Sequence, residues 1–281
     1  MSRVITLTTD FGTSDGYVAS MKGVMLGINP SAAIVDISHA IAPQFIRQAA
    51  FILHTSWRFF SGGSIHVVIV DPGVGGHRKM VILKTPSALF VAPDNGVLSY
   101  ILHELAQDQQ PNSYSTTEMV APKLLPEGCE AISITRKEYW RHPVSATFHG
   151  RDIFAPVAAY LSLDFPITAF GDKLESLYSF PIPEPFRDST GHMIGHIIHI
   201  DRYGNLITNL RSKDIPAGGA AVEIRNQRID KTSPFYAQDS GLIAVVGGND
   251  YLELSVRNGS AASALGASVG DTVTILDSLL A

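Results

Sequence analysis

The chain has 281 residues, of which 45% are hydrophobic and 17% are charged, so it can fill one large domain or two modest ones. Its formal net charge of −5 favours neither nucleic acid nor an anionic membrane as a partner. The charged fraction is low against the roughly 25% that is typical of globular proteins. We therefore expect some surface to be buried between subunits.

The chain shows no sign of export or membrane insertion. Met1-Ser2-Arg3 leads directly into a strand-like run, and no apolar stretch approaches the roughly 18 residues that a membrane helix needs. The single cysteine, Cys129, excludes an intramolecular disulfide and a zinc site built of cysteines. These features favour a cytoplasmic protein.

Strand and helix patterns alternate through the first 165 residues. Thr13, Ser14 and Asp15 offer N-caps for the first helix, and Asn29-Pro30 ends it. The predicted strands are 4–8, 33–37, 64–70, 80–84 and 88–92, and the later predicted helices are 43–60, 97–105 and 153–163. This alternation predicts a mainly parallel sheet covered by helices.

The composition changes in the proline-rich stretch 180–185, which predicts a stiff, extended connection. Beyond it the helical period disappears, and short strand candidates follow at 193–200, 206–210, 220–225, 242–247, 251–257 and 271–276. We therefore predict an α/β domain at 1–180, a linker at 180–188 and a smaller all-β domain at 188–281.

Three aspartates, Asp10, Asp71 and Asp94, each follow a predicted strand. Ligands of such sheets bind beyond the carboxyl ends of the strands. One aspartate there is a common turn residue, but three together favour a site.

The stretch VVIVDPGVGGHRK raises the question of what its glycines do. A phosphate loop would need a lysine followed by Ser or Thr at the start of a helix. Here Arg78-Lys79 leads into an apolar strand that begins at Met80, so a phosphate site is disfavoured. Taken alone, Asp71-Pro72-Gly73 is also compatible with a tight turn, and Arg78 with a solvated loop end.

The stretch TFHGRDIFAP places His149 and Gly150 just before a predicted helix. Asp152 could be the helix N-cap and Arg151 a surface charge. A carboxylate, an arginine and an imidazole on loops at one sheet edge can also bind and polarise a water molecule.

The stretch HIDRYGNLITNL places Asp201 at the end of an apolar strand and Asn205 in the following turn. A β-turn closed by the aspartate is one interpretation. The functional interpretation is a carboxylate for an ammonium group, an aromatic face from Tyr203 and an amide that can read a base edge.

The ten histidines of the chain raise the question of a metal site. In GHMIGHIIHI, His192 and His196 would share one strand face while His199 lies on the other. The sequence has no HExxH motif, so polar strand histidines are favoured over a metal site.

Five stretches together resemble one family: TTDFG, DPGVG with Arg78, APDNG, TFHGRDIFAP and IDRYGNLITN. They are similar to the S-adenosyl-L-methionine (SAM) hydroxide adenosyltransferases, or SAM hydrolases, which are relatives of the SAM-dependent fluorinase and chlorinase. The resemblance covers nearly the whole chain. It implies a barrel-like C-terminal domain that completes the substrate pocket, and a homotrimer with active sites shared between subunits.

The resemblance also implies a reaction and its catalytic residues. SAM would be split by water into adenosine and L-methionine, without a metal or other cofactor. The triad carried over by motif is Asp71, Arg78 and His149.

Substrate-binding roles follow from the same resemblance. Asp10 would hold the ribose hydroxyls, Asp201 the methionine ammonium and Asn205 the adenine, with Tyr203 packing against it. The further substrate-binding candidates are Asp71, Phe148, Gly150, Asn249, Tyr251 and Asn258.

Two other functions remain open at this stage. Halogenating relatives replace the aspartate and histidine of the triad, and the fluorinase carries extra residues after the triad arginine; this chain keeps Asp71 and His149 and shows no insertion there. Both points favour hydrolysis. A SAM-binding sensor would have no reason to keep the triad. This chain departs from the pattern of the family at Gly248-Asn249, where the family more often shows Asn-Ser.

Overall fold

The computed structural model describes residues 3–106, 120–230, 232–236 and 241–276. The chain forms two compact units, and their described residues are 3–106 with 120–180, and those from 181 onward. Each unit has its own apolar core. Within the described ranges, no helix is long and apolar enough to cross a membrane.

The first unit is built on a seven-stranded sheet with the order β2-β1-β3-β5-β4-β7-β8, beside a separate β6–β9 pair. The strands are β1 (Val4–Thr9), β2 (Ala33–Ser38), β3 (Ile65–Ile69), β4 (Met80–Lys84), β5 (Leu89–Pro93), β6 (Ala121–Leu124), β7 (Glu130–Ile134), β8 (Gly171–Leu174) and β9 (Ser176–Ser179).

The sheet is parallel from β2 to β5 and antiparallel from β5 to β8. The predicted α/β class is confirmed, but the sheet is mixed rather than mainly parallel. The reason lies in the connection 85–88 between β4 and β5. Four residues cannot carry a parallel crossover, so the two strands form a hairpin. Thr85 closes it, because its backbone N–H donates to the Ala88 backbone oxygen at 2.9 Å and its side-chain Oγ1 accepts the Ala88 N–H at 3.0 Å.

Four helices cover this sheet: α1 (Tyr17–Ile28), α2 (Ile46–Ser56), α3 (Ser99–Leu105) and α4 (Ala155–Ser162). Helices α1 and α4 pack together on one face, and α2 and α3 pack together on the other. Strand β3 is buried on both sides, because Val67 packs in the apolar cluster under α1 and α4 and Val68 in the cluster under α2 and α3.

Two predicted helix starts are wrong. Helix α1 begins after Gly16, and no side chain caps it, so the predicted caps at 13–15 are not used. Helix α2 was expected from residue 43, but Gln44 has a φ of 65°, a left-handed conformation that a right-handed helix cannot include. A 3₁₀ turn, Trp57–Phe59, follows α2, and a π-helical turn, Gly150–Phe154, precedes α4.

The second unit is an all-β sheet with the order β14-β13-β18-β11-β12-β17-β16-β15. Its strands are β10 (Phe186–Arg187), β11 (Met193–Ile200), β12 (Leu206–Arg211), β13 (Ala221–Ile224), β14 (Gln227–Ile229), β15 (Thr232–Ser233), β16 (Leu242–Val246), β17 (Tyr251–Val256) and β18 (Thr272–Leu276), with the short helix α5 (Ala261–Leu265).

This sheet curls into a nearly closed barrel, because β14, at one end of the strand order, approaches β16 near the other. Ile197, Leu254 and Val273 are among the residues that fill its interior. The predicted all-β, barrel-like domain is confirmed. Phe186 and Arg187, inside the predicted linker, pair with β11 as the strand β10.

Candidate active site

Asp71 and Arg78 form a forked ion pair at the ends of β3 and β4. The Arg78 Nε donates to Asp71 Oδ1 at 3.0 Å and to Oδ2 at 2.9 Å, and Nη2 donates to Oδ2 at 2.5 Å. The two side chains are only 5% and 10% exposed, with Asp71 the more buried. A planar guanidinium against a carboxylate fixes the position of both groups. The loop between them therefore brings Arg78 back to Asp71, at the carboxyl end of β3.

His149 joins this pair through the same guanidinium. The Arg78 Nη2 donates to His149 Nδ1 at 3.0 Å. Because a guanidinium only donates, Nδ1 must accept with its lone pair, and the neutral ring carries its hydrogen on Nε2. Burial, then the charge of Arg78, lowers the pKa of His149, and Asp71 and Asp152 partly oppose this shift. His149 is thus a neutral imidazole with Nε2–H free to donate.

The glycines of the 71–78 loop serve close packing. Gly75 has a φ of +77°, and a Cβ there would lie 2.6 Å from the backbone oxygen of Ala146. Only a residue without a side chain lets this loop touch the segment that leads to His149. Gly75 is therefore required by the approach of two loops, and Gly73 leaves room for the Arg78 side chain, whose Cγ would lie 3.3 Å from a Cβ there.

A pocket of about 390 Å³ opens beside these three residues. It is lined by Asp10, Phe11, Tyr17, Pro43, Gln44, Ile69, Asp71, Pro72, Val74, Thr147, Phe148, His149 and Gly150. The carboxyl ends of the parallel strands β1 and β3 bring Asp10 and Asp71 to the same sheet edge. Five predicted site residues thus meet here: Asp10, Asp71, Phe148, His149 and Gly150.

Sequence reasoning missed part of the pocket wall. The rings of Phe11, Tyr17 and Phe148 pack against one another with centroids 5.2–5.8 Å apart. Gln44 donates its backbone N–H to Asp10 Oδ2 at 2.8 Å. Phe11 stands inside the TTDFG stretch and could have been singled out, but the unusual backbone of Gln44 leaves no sequence signal.

Asp94, the third aspartate that follows a strand, has a structural role. Asp94 is buried and accepts the backbone N–H of Tyr178 at 2.7 Å, which ties β9 to the end of β5. Burial raises the pKa of Asp94. It does not line the pocket, so of the three aspartates Asp10 and Asp71 form the site.

A second pocket, of about 570 Å³, lies in the second unit. It is lined by Asp201, Tyr203, Asn205, Tyr236, Ser255, Val256, Arg257, Asn258 and Gly259. Four predicted substrate-binding residues are therefore together: Asp201, Tyr203, Asn205 and Asn258. Tyr236 and Arg257 were not foreseen.

Asp201 also closes its own turn. Its Oδ1 accepts the backbone N–H groups of Tyr203 at 2.8 Å and Asn205 at 2.9 Å, and its Oδ2 accepts the Asn205 side-chain amide at 2.8 Å. Asp201 can both close the turn and bind an ammonium group, because a carboxylate has about four lone-pair sites and the turn uses three.

Asn249 and Tyr251 lie outside this pocket lining. Arg211 donates to the Asn249 backbone oxygen at 3.1 Å and lies 3.4 Å from the centroid of the buried Tyr251 ring. Their substrate-binding role stays a prediction. Across the part of the chain that the structure describes, no group of three or more His, Cys, Asp or Glu side chains is placed to hold a metal ion.

An α/β unit with a polar constellation at its strand ends, followed by a barrel-like unit with a polar pocket, defines a two-domain protein that handles small molecules. Residues 5–171 match the model of the SAM hydroxide adenosyltransferase N-terminal domain, and residues 195–274 match that of the C-terminal domain. The chain belongs to the SAM hydroxide adenosyltransferase family, which confirms the resemblance.

Individual relatives agree with this assignment. The (R)-S-adenosyl-L-methionine hydrolase of Methanocaldococcus jannaschii is 31% identical, covering 97% of this chain and 95% of its own. The hydrolase of the same name from Thermus thermophilus is 34% identical over 98% and 100%. A fluorinase from an Actinoplanes species is 26% identical over 77% and 74%. The crystal structure of an uncharacterized conserved protein from Thermotoga maritima superposes with a TM-score of 0.83 at 31% identity, covering 97% of this chain and 100% of that one.

Proposed function

We propose that the protein hydrolyses SAM, with water attacking the ribose C5′ to give adenosine and L-methionine. The observation that carries the proposal is the Asp71–Arg78–His149 constellation, in which Arg78 joins two side chains, Asp71 and His149, that line one pocket with Asp10. The two SAM hydrolases above are more similar to this chain, and over more of its length, than the fluorinase.

The difficult part of this reaction is the activation of the nucleophile, which is a water molecule. The C5′–S bond breaks with its electron pair going to sulfur, so the sulfonium leaves as the neutral thioether of methionine and needs no general acid. The water oxygen forms the new C5′–O bond and loses one proton. The balanced products are adenosine, L-methionine and a proton.

Asp71 and Arg78 prepare the water. The Asp71 carboxylate keeps lone-pair capacity beside the Arg78 fork and can accept a water hydrogen. General-base assistance of this kind contributes about 10²–10⁴-fold. Arg78 stays charged at every relevant pH and stabilises hydroxide character on the water oxygen.

His149 supplies orientation. With Nδ1 occupied by Arg78, its Nε2–H can donate to the water oxygen and leave a lone pair directed at C5′. Holding water and substrate in line converts a bimolecular encounter into a positioned reaction.

The remaining site residues hold the substrate in this proposal. Asp10 binds the ribose hydroxyls, Asp201 the methionine ammonium and Asn205 the adenine, with Tyr203 against it. The chain acts as a homotrimer in the cytoplasm, with residues of two subunits in each active site and no metal requirement. Sedimentation tests the assembly, since a stable monomer with full activity contradicts it.

Product analysis tests the activity. SAM incubated with the protein in ¹⁸O-labelled water should give methionine and adenosine carrying ¹⁸O at the 5′ position, with EDTA making no difference. Chloride in the reaction tests for 5′-chloro-5′-deoxyadenosine, the product of a halogenase. SAM that stays intact with the folded protein, but binds to it, would instead identify a sensor.

A further inference from the structure

A buried carboxylate, that of Asp152, follows His149 closely along the chain. Asp152 is 0% exposed and does not line the pocket. Arg151 donates from Nε to its Oδ1 at 2.7 Å and from Nη2 to its Oδ2 at 2.8 Å. Arg141 Nη1 donates to Oδ1 at 3.2 Å, and the Ser145 backbone N–H donates to Oδ2 at 2.9 Å. The lone-pair sites of this carboxylate are all used.

These contacts tie the 141–145 segment to the turn that follows His149. The Asp152 N–H donates to the Phe148 backbone oxygen at 3.2 Å, and the Asp152 backbone oxygen accepts from Arg141 N–H at 2.8 Å. The turn that follows His149 is π-helical, a rare geometry that is frequent at functional sites. Asp152 thus holds the 141–145 segment against the start of this turn.

The same carboxylate fixes a wall of the pocket through Arg151. The Arg151 guanidinium lies 5.1 Å from the centroid of the Phe148 ring. Phe148 in turn packs edge-on against Phe11 and Tyr17, which line the pocket. A fork that holds Arg151 in one orientation therefore also holds Phe148.

We propose that Asp152 is a positioning residue for the hydrolysis of SAM, holding His149 and Phe148 in their productive orientation through Arg151, Arg141 and Ser145. The inference rests on the proposed function for the reaction concerned. Asp152 touches neither pocket nor triad, so it acts through its neighbours.

A purely stabilising role fits the arrangement less well. Burying a carboxylate is costly unless every lone pair is satisfied, and buried ion pairs often stabilise a fold no better than apolar residues of similar size. What such a cluster does supply is a single geometry. Its negative charge also acts on His149, whose pKa it raises against the effects of burial and Arg78.

The test is Asp152→Asn, which keeps the size and one acceptor oxygen. The kcat should fall by roughly 10–100-fold, as expected for a misplaced catalytic group. The affinity for adenosine should fall by a smaller factor than kcat, because the substitution reaches the bound nucleoside only indirectly, through the Phe148 ring. Asp94→Asn is the matched control, since Asp94 is also buried but accepts a backbone N–H away from the pocket.

The pKa of His149, measured by NMR titration, does not change when a substitution only lowers the stability of the fold. The charged groups around its ring are Arg78 and Asp71, Asp152 with its partners Arg151 and Arg141, and Asp10 in the same pocket. Removing the negative charge of Asp152 makes protonation harder. The pKa of His149 should therefore fall further.

The outcomes of these experiments distinguish a failure of the proposed SAM hydrolysis from a failure of the positioning role of Asp152. If the wild type forms no adenosine, the proposed function fails, and the titration of His149 still decides the positioning role. A His149 titration unchanged in folded Asp152→Asn, or a kcat within threefold of the wild type, overturns the inference. Should Asp152→Asn not fold, Arg151→Lys takes its place, because an ammonium cannot reproduce the fork; it should lower kcat in the same direction.

Discussion

Asp71 and Asp201 both follow a β-strand, but they are held in different ways. Asp71 is held by the side chain of Arg78, which in turn reaches His149, 71 residues further along the chain. Asp201 is held by its own turn, through hydrogen bonds that all come from within four residues. One carboxylate belongs to a network of side chains, and the other belongs to a local backbone motif.

The difference teaches how each site will respond to substitution. In the side-chain network, charge and fork geometry matter, and the backbone around Asp71 does not depend on its carboxylate alone. In the turn, the carboxylate shapes the backbone as well as facing the pocket. A change at Asp71 should therefore act on chemistry, and a change at Asp201 should act on binding and local structure together.

The largest expected effect comes from Asp71→Asn. The change keeps the shape and removes the charge that, in the proposed mechanism, attracts a proton from water. The kcat should fall by about 10²–10⁴-fold, the range for a lost general base, while adenosine affinity changes little. Steady-state kinetics and calorimetry measure the two quantities.

Asp94→Asn is the control for this comparison, because Asp94 ends the neighbouring parallel strand but lies outside the pocket. It should keep near-normal kcat, since the amide oxygen can still accept from Tyr178. Near-normal turnover of Asp71→Asn would instead make Asp71 a turn residue.

The next effect is that of Arg78→Lys, which keeps a positive charge but removes the fork. One ammonium cannot bond both Asp71 oxygens and His149 Nδ1 in the same planar arrangement. We expect kcat to fall by roughly 10²-fold, the range for one lost electrostatic contact. Arg136→Lys is the control, because Arg136 makes only a long, exposed ion pair with Asp172 at 3.8 Å. Equal activity of the two variants would show that charge alone suffices.

Asp201→Asn tests the other side of the comparison. The amide keeps an acceptor for the turn but loses the charge for an ammonium. Affinity for SAM should fall by roughly 1.5–3 kcal/mol, the value of a hydrogen bond to a charged group, and affinity for adenosine should fall less. Calorimetry with both ligands measures the difference.

Asp188→Asn is the matched control, because Asp188 also closes a turn, with Thr190 and His192, and lies outside the pocket. It should leave both affinities unchanged. Equal losses for SAM and adenosine in Asp201→Asn would place Asp201 at the nucleoside end of the substrate.

The sequence predicts the local features of this molecule well. The turn at 201–205 depends on an aspartate and a glycine at fixed spacing, so residue types alone indicate it. The alternating strands and helices of the first unit and the all-β character of the second follow from periodicity in the same way. The hairpin between β4 and β5 was not predicted, although its four-residue connection is too short for a parallel crossover.

What the sequence does not reveal are contacts between distant segments. Nothing near Asp152 indicates that Arg141 will reach it, because that contact depends on how the 141–152 segment folds back. The left-handed backbone of Gln44, which delivers an N–H to Asp10, is equally invisible. The pairing of Asp71 with His149 came from the family resemblance, and physical reasoning alone offered it as one alternative.

The smallest expected effect tests how far the side-chain network depends on backbone contact. Gly75 and Gly63 both have a φ near +80°, so alanine at either position should cost about 1–2 kcal/mol of stability from the left-handed conformation. Their surroundings differ, because a Cβ at Gly75 would meet the Ala146 oxygen at 2.6 Å, whereas nothing lies within 4 Å of one at Gly63.

Gly75→Ala must therefore also displace the segment that carries His149, and its kcat should fall by several-fold, within the roughly 10²-fold that a 1 Å misplacement can cost. Gly63→Ala should lose stability alone. Thermal unfolding and kcat of the two variants, measured side by side, decide the matter: equal kcat values would mean that the triad is held by its side chains without help from the loop contact.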